Sequence, residues 1–311
     1  MKVLLPGNLA LAVAAPPGVR TVVFDPAAPV PEEHLDAEVL VTWGQDADQL
    51  GREARRLTGL RWVQTLAAGP DAVLAAGFPP HVTITCGRGL HDRTVTEHTL
   101  ALVLAGVRRL EDMVRAKDER RWAGELGGVQ PLHPEGRVTT LLGARVLLWG
   151  FGSIARTLAP VLRSLGAEVR GVARSSGDRD GFPVSDDVDA ELPGTDVLVM
   201  LVPALPETRH ALDARRLALL PRHALVVNVG RGATVDEAAL VAALTEGTIA
   251  WAALDVTEEE PLPPESPLWD APHLLVSPHA AGGRPVGADE LVSANLAAYV
   301  AGEPLREQVG R

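Results

Sequence analysis

What this chain lacks narrows it first. Its 311 residues include one cysteine, Cys86, which excludes an intrachain disulfide and a thiolate metal cluster. Cys86 lies in HVTITCG, an expected strand, where core packing is its expected role. There are two lysines, Lys2 and Lys117; every other cation of this kind is arginine. That scarcity is read first as a base-composition bias of the gene, but the phosphate-binding pattern GxxxxGK[ST] is absent with it. No apolar run approaches the roughly 18 residues of a membrane-spanning helix. The opening MKVLLPG reads as a strand, not as the basic start and long apolar core of a secretory leader. An excess of positive charge is also missing. The formal net charge of −11 argues against a nucleic-acid partner, which needs a basic footprint, and against docking on an anionic membrane. A cytoplasmic chain acting on a small molecule is the expectation.

What is present suggests two domains. The length fits that number, and 46% hydrophobic against 22% charged residues is enough for a substantial core. The first hundred residues alternate short β-branched runs (MKVLLP, TVVFD, AEVLVTW, LRWVQTLA, VTITC) with helical stretches such as DADQLGREARRL. Parallel strands with crossover helices follow. Residues 94–122 read as one long helix opened by a capping-box pattern of Thr94 and Glu97. A looser stretch with Gly and Pro occupies 124–136. From Thr140 onward six strand candidates (ARVLLWG, AEVRGVAR, TDVLVML, HALVVNVG, IAWAALDV, HLLVSPH) alternate with helical segments. That is the pattern of a doubly wound parallel sheet. GADELVSANLAAYVAGEP reads as a last helix.

The second block opens on LLWGFGSIARTLAPVLRSLGAEV, which holds G-x-G-x-x-A at Gly150, Gly152 and Ala155. The turn follows a strand, opens a helix and precedes a second strand, the context a dinucleotide site requires. Gly150 allows the tight turn, Gly152 lets a pyrophosphate reach the helix N-terminus, and Ala155 permits close helix–strand contact. The second strand then ends in GVARSS. An acid that would bind a ribose 2′-OH is missing there. Arg174 stands in its place and can pair with a 2′-phosphate, with Ser175 and Ser176 adding hydrogen bonds. NADP(H) is therefore the expected cofactor and NAD(H) the alternative; the plainer reading leaves Arg174 a solvated loop residue.

Ligands of open α/β sheets bind beyond the carboxyl ends of the strands. Three charged or titratable residues follow late strands: Arg231 in VNVGRGATVDE, Glu260 in ALDVTEEEPLPPESPLW and His279 in LLVSPHAAGG. Such a set suits reduction of a 2-keto acid. The histidine moves a proton, the glutamate orients it and raises its pKa, and the arginine holds a carboxylate or carbonyl. Taken alone, a histidine after a proline reads more readily as a capping or surface residue, Arg231 also as a helix-dipole or salt-bridge residue, and Glu258 and Glu259 as solvated; EEE does not identify its acting member.

Together, GFGSIA, VNVGRGATVDEAAL, ALDVTEEEPLPPESPLW and SPHAAGG strongly resemble the D-isomer-specific 2-hydroxyacid dehydrogenase family, and within it the glyoxylate/hydroxypyruvate reductases. The similarity also takes in TVTEHTLALVLAGVRRL and LAAGPDAVL. It implies two Rossmann-like α/β domains with doubly wound parallel sheets, the smaller flavodoxin-like and discontinuous. The expected boundaries are 1–98 and 284–311 for the substrate-binding domain and 99–283 for the dinucleotide-binding domain. It implies that Arg231 binds the substrate carboxylate and keto oxygen. His279 becomes the general acid in reduction and base in oxidation, with Glu260, next to Pro261, as its partner. Asp255 would hold the nicotinamide carboxamide, and backbone groups of Ala68 and Gly69 the substrate carboxylate. Further cofactor contacts are expected at Ser153, Ile154, Pro203, Thr208, Val229 and Gly282. The helix from Thr94 would support a homodimer.

The sequence departs from the family pattern in places. Ala155 replaces a third glycine, Pro70 an aliphatic residue, Thr96 an alanine and Gly230 a residue with a side chain. Thr257 and His273 stand where an aromatic and an asparagine are common, which leaves the substrate open, not the reaction. His34, His81, His133 and His223 lack metal-ligand spacing and are expected at the surface. Trp43, Trp122 and Trp269 are expected in core or lid packing. Two other readings stand beside the reductase: a dehydrogenase for bulkier D-hydroxy acids, and a dinucleotide-sensing corepressor-like binding protein.

Overall fold

The computed structural model describes residues 1–133 and 136–310; positions 134, 135 and 311, the first two inside the expected loose stretch, lie outside the described residues. The chain forms two compact units, Met1–Asp92 with Arg284–Arg311, and Arg93–Gly283.

The first unit holds a five-stranded parallel sheet: β1 (Lys2–Pro6), β2 (Arg20–Phe24), β3 (Val39–Thr42), β4 (Trp62–Thr65) and β5 (Thr83–Thr85), in the order β2-β1-β3-β4-β5. This is the flavodoxin-like order. Side chains of successive strand residues go to opposite faces. Leu4, Leu40 and Val63 therefore join one apolar layer with Leu50 of helix α1 (Ala47–Arg56) and Val73 of α2 (Asp71–Ala75). Val3, Leu5, Val39, Val41 and Trp62 join the other. That second layer is closed by Val292 and Leu296 of the C-terminal helix Ala288–Ala301, which returns to this sheet.

In the second unit the expected long helix is two helices, α3 (Asp92–Val107) and α4 (Leu110–Asp118). Arg109 between them has φ 53°, a left-handed conformation that a continuous helix cannot contain. Because α3 already starts at Asp92, Thr94 lies inside it and cannot act as its cap. The sheet contains the six expected strands, β6 (Arg145–Trp149), β7 (Glu168–Val172), β10 (Val197–Met200), β11 (Leu225–Asn228), β12 (Trp251–Leu254) and β13 (Leu274–Val276). It also contains two more, β8 (Gly177–Arg179) and β9 (Phe182–Ser185). The order is β13-β12-β11-β10-β6-β7-β9-β8, with only β8 antiparallel to its neighbour. The extra pair is a hairpin with Arg179 opposite Phe182, turned by Asp180 and Gly181 at φ 59° and 78°. An Asp-Gly turn of this hand is a strong hairpin signal, but the flanking GDR has no apolar alternation to announce a strand.

One sheet face packs Val146 and Leu148 against Leu158 and Leu162 of α5 (Ser153–Ser164) and Leu102 and Val103 of α3. The other packs Leu147 and Leu198 with residues of α6 (Val188–Glu191), α7 (Ala214–Leu217) and α8 (Glu237–Thr245). The helix expected over DARRLALL is thus only four residues long. The C-terminal helix of the first unit is α9. Trp122 does not pack as expected: it is 95% exposed, and Trp269 is 54% exposed. Trp43 is half-buried and stacks on His91 with ring centroids 5.4 Å apart.

Candidate active site

The parallel strands of the second unit deliver their carboxyl ends to one edge, and the strand order reverses beside β6. Such a switch point opens a crevice for a ligand. At the end of β6, Gly150 has φ +105°, and a Cβ there would lie 2.7 Å from the Leu201 carbonyl carbon. Both the conformation and the room demand glycine. Gly152 is different. A Cβ there would meet nothing within 4 Å, so the fold does not require glycine. The space lies at the cap of α5, which has no side-chain capping bond. A helix start without a side-chain cap suits a pyrophosphate, and Ser153 and Ile154 are its first two residues. Ala155, in the first turn of α5, is fully buried.

Beyond β7, Arg174, Ser175 and Ser176 are all exposed. Arg174 engages no hydrogen-bond or ion-pair partner among the described residues. Pro203 and Thr208 share the loop after β10, where Thr208 Oγ1 donates to the Pro203 carbonyl at 2.6 Å. Val229 is buried at the end of β11, and Gly282 is half-buried in the segment after β13. The cofactor residues expected from the sequence are therefore all at the same edge of one sheet. Ala68 and Gly69 lie in the first unit, in the loop between β4 and α2.

The reactive rim is built on two buried polar side chains that the sequence reasoning had not singled out or had given another task. Asn228, fully buried at the end of β11, templates the turn that carries Arg231. Its Nδ2 donates to the Arg231 carbonyl at 3.0 Å, and its Oδ1 accepts from the Gly230 amide at 3.0 Å. Thr234 Oγ1 adds a bond to the same Arg231 carbonyl at 2.6 Å. The next residue, Gly232, is pressed onto the loop carrying Glu260: a Cβ would fall 1.9 Å from the Thr257 carbonyl carbon.

Asp255, 2% exposed, performs the matching task for His279. Its Oδ1 accepts from Ser277 Oγ at 2.5 Å and the Ala280 amide at 2.8 Å, and its Oδ2 from the Ala281 amide at 3.0 Å. His98 Nε2 of α3 stands 3.1 Å from Oδ1 and 3.0 Å from Ser277 Oγ. The Asp255 backbone carbonyl takes the His279 amide at 2.8 Å. These bonds hold His279 at φ 51°, a sparsely populated conformation for a side chain of this size.

The side chains then meet. His279 Nδ1 and Glu260 Oε2 are 2.7 Å apart, while Glu260 Oε1 accepts from the Thr257 amide at 3.1 Å. The hydrogen bond to Glu260 raises the His279 pKa against the opposing effect of burial, with the Glu260 charge adding to the rise and the Arg231 charge reducing it. Burial works to raise Glu260, but the bond and charge of His279, the Thr257 amide and the Arg231 charge outweigh it and hold the carboxyl below its ordinary value. With Nδ1 committed to the carboxylate, Nε2 is the nitrogen left to exchange a proton. The neighbouring Glu258 is occupied elsewhere, by His210 Nε2 at 2.9 Å and Arg209 at 3.3 Å. Among the described residues no group of three or more His, Cys, Asp or Glu could hold a metal ion. His34, His133 and His223 take no part in this rim; His223 pairs with Asp196 at 2.8 Å.

Residues 100–281 match the model of the D-isomer specific 2-hydroxyacid dehydrogenase NAD-binding domain. The chain is 31% identical over 259 residues to a glycerate dehydrogenase of Methylorubrum extorquens, covering 80% of this chain and 79% of that one. It is 32% identical over 289 residues to glyoxylate/hydroxypyruvate reductase A of Salmonella newport, covering 88% and 86%. A D-isomer specific 2-hydroxyacid dehydrogenase of Xanthobacter autotrophicus Py2, solved in complex with NADPH and MES, superposes with a TM-score of 0.82 at 32% identity, covering 99% of this chain and 97% of that one. The chain belongs to the D-isomer specific 2-hydroxyacid dehydrogenase family. It is a nicotinamide-dinucleotide-dependent oxidoreductase that interconverts 2-hydroxy and 2-keto acids.

Proposed function

We propose that the chain reduces a small 2-keto acid of the glyoxylate or hydroxypyruvate type to the D-2-hydroxy acid, with NADPH as reductant. The observation that carries this reading is the Glu260–His279 pair at 2.7 Å, set beside the Arg231 turn at the carboxyl edge of a dinucleotide-binding sheet. Bound at that edge, the dinucleotide supplies the hydride. Arg231 holds the substrate carboxylate and polarises the keto oxygen. His279, kept protonated by Glu260, gives its Nε2 proton to the oxygen as the carbonyl is reduced, and takes one back in oxidation. Glu260 stabilises the charged ring and fixes its orientation. Asp255 takes the nicotinamide carboxamide, and the first unit, with the backbone groups of Ala68 and Gly69, is the substrate-binding one.

The cofactor preference is supported by Arg174, exposed and without a hydrogen-bond or ion-pair partner among the described residues, where an acid would repel a 2′-phosphate. It is also supported by the Xanthobacter relative, solved with NADPH. A homodimer is supported by exposed apolar side chains along one stretch, Leu110, Val114, Trp122, Val129 and Leu132. A single, buried and unpaired Cys86 fits a reducing, cytoplasmic setting.

A panel of 2-keto acids assayed with NADPH and NADH tests the proposal. The expected result is turnover of glyoxylate or hydroxypyruvate with NADPH favoured in kcat/KM. A strong NADH preference sinks the cofactor assignment; activity confined to bulky 2-keto acids sinks the substrate one.

A further inference from the structure

Arg179, in the short edge strand β8, makes three hydrogen bonds, and each goes to a loop at the cofactor edge. Its NH1 donates to the Phe151 carbonyl, inside the glycine turn, at 3.1 Å. Its NH2 donates to both the Ser175 carbonyl and Ser175 Oγ at 3.0 Å. One guanidinium thus ties the turn that receives the pyrophosphate to the loop that follows β7. The hairpin that carries it is anchored independently. Phe182 packs on Phe151 with ring centroids 6.0 Å apart. The Arg163 guanidinium lies 4.1 Å over the Phe182 ring, and Arg156 pairs with Asp180 of the hairpin turn at 3.2 Å. Phe151 in turn lies against Gly171 of β7, where a Cβ would come 2.2 Å from its ring.

The chemistry of the Ser175 contact matters. Because Oγ accepts from Arg179, the hydroxyl hydrogen is left to donate outward. A donor is what an anion requires. The cation behind the hydroxyl strengthens that donor, as linked hydrogen bonds polarise one another. Arg174, one residue earlier and exposed, would stand in the same loop.

We propose that Arg179 is a positioning and specificity-determining residue for the adenosine 2′-phosphate: it fixes the Ser175 loop to the glycine turn and orients the Ser175 hydroxyl as a donor to that anion. The proposal rests on the NADPH reading above and goes beyond it by assigning the β8–β9 hairpin a part in choosing the cofactor.

The test uses the full chain, with adenosine 2′,5′-bisphosphate and 5′-AMP as probes in titration calorimetry, alongside steady-state kinetics. Wild type should bind the bisphosphate more tightly; equal affinity would remove the NADPH reading and this assignment with it. Arg179→Ala should weaken the bisphosphate about tenfold, the scale of one charge-assisted bond. The 5′-AMP affinity should move less than about twofold on the same scale. KM for NADPH should rise with kcat held. Ser175→Ala, which leaves the hairpin anchors intact, should give a smaller loss of the same selective kind. Arg179→Lys, which keeps a cationic donor, should restore part of it. If wild type discriminates but Arg179→Ala weakens both probes equally, the hairpin is merely structural. If it weakens neither, Arg179 is idle at this site. Either outcome overturns the assignment while leaving the NADPH reading standing.

Discussion

Two parts of one sheet edge are held in different ways. The rim that carries Arg231, Glu260 and His279 is cross-linked from below by buried polar groups: Asn228 under the Arg231 turn, and Asp255 under the His279 loop. The loop with Arg174, Ser175 and Ser176 is exposed, and among the described residues the Arg179 guanidinium ties it to the glycine turn. The difference follows the chemistry each must do. Proton transfer tolerates little error in position, so the rim is set on partners sheltered from water. Recognition of a phosphate by a cation is less directional, and an exposed cation keeps its hydration until the ligand arrives. The two parts should therefore fail differently when altered.

The largest effect is expected from His279→Ala, which removes the proton donor. Reduction should slow by about 10²–10⁴-fold in kcat, while dinucleotide affinity, followed by fluorescence titration, stays close to wild type. Retained turnover would falsify the assignment of His279. Next is Gly232→Ala. Its Cβ has no room against Thr257, so the Arg231 turn and the Glu260 loop must move apart. A loss of about 10²-fold in kcat/KM is expected, the scale of a displacement near 1 Å. Wild-type kinetics would show that the two loops are not mechanically joined.

Glu260→Gln gives a smaller loss and a distinctive pH profile. In the native pair the His279 pKa is raised above 6.5 by Glu260, and reduction needs the protonated ring. Reduction should therefore be full below that raised value and fall as pH rises through it. Removing the carboxylate takes away the main cause of the rise, so the falling limb should move to lower pH. The oxidation direction, which needs the neutral ring, should show its rising limb move the same way. An unmoved limb would detach Glu260 from the titration. The smallest effect belongs to the exposed loop: Arg174→Ala should raise KM for NADPH about tenfold with kcat unchanged. Stability should move by no more than about 0.5 kcal/mol, as expected for an exposed residue without packing. Thermal unfolding beside the kinetics would reveal any larger structural role and so narrow the contrast with the rim.

Much of this was legible in the sequence because it is local. Apolar runs between turn residues located the five strands of the first sheet and six of the eight in the second, and G-x-G-x-x-A marked the β6–α5 turn. The division of 94–122 into α3 and α4 was not legible, since the helical pattern runs unbroken through Arg108 and Arg109 and only the backbone at Arg109 reverses it. The β8–β9 hairpin escaped because its first strand, GDR, is polar throughout; its Asp-Gly turn was the available signal. Asn228 had a signal too, a lone amide closing the apolar strand LVVN, but an amide there reads equally as a strand terminus.

The sequence by itself determined the alternation of strands and helices, and with it the edge to which Arg231, Glu260 and His279 are delivered, because hydrophobic period and strand direction are properties of neighbouring residues. Which glutamate of the acidic run meets the histidine was open from the residues alone. The tertiary structure decided it, setting Glu260 against His279 and Glu258 against His210. It also decided that Asp255 braces the His279 loop from beneath and that Arg179 reaches back to the glycine turn. Those contacts join segments about 20 or more residues apart, and only the closed fold, through distances that no local pattern encodes, brings such groups within hydrogen-bonding range.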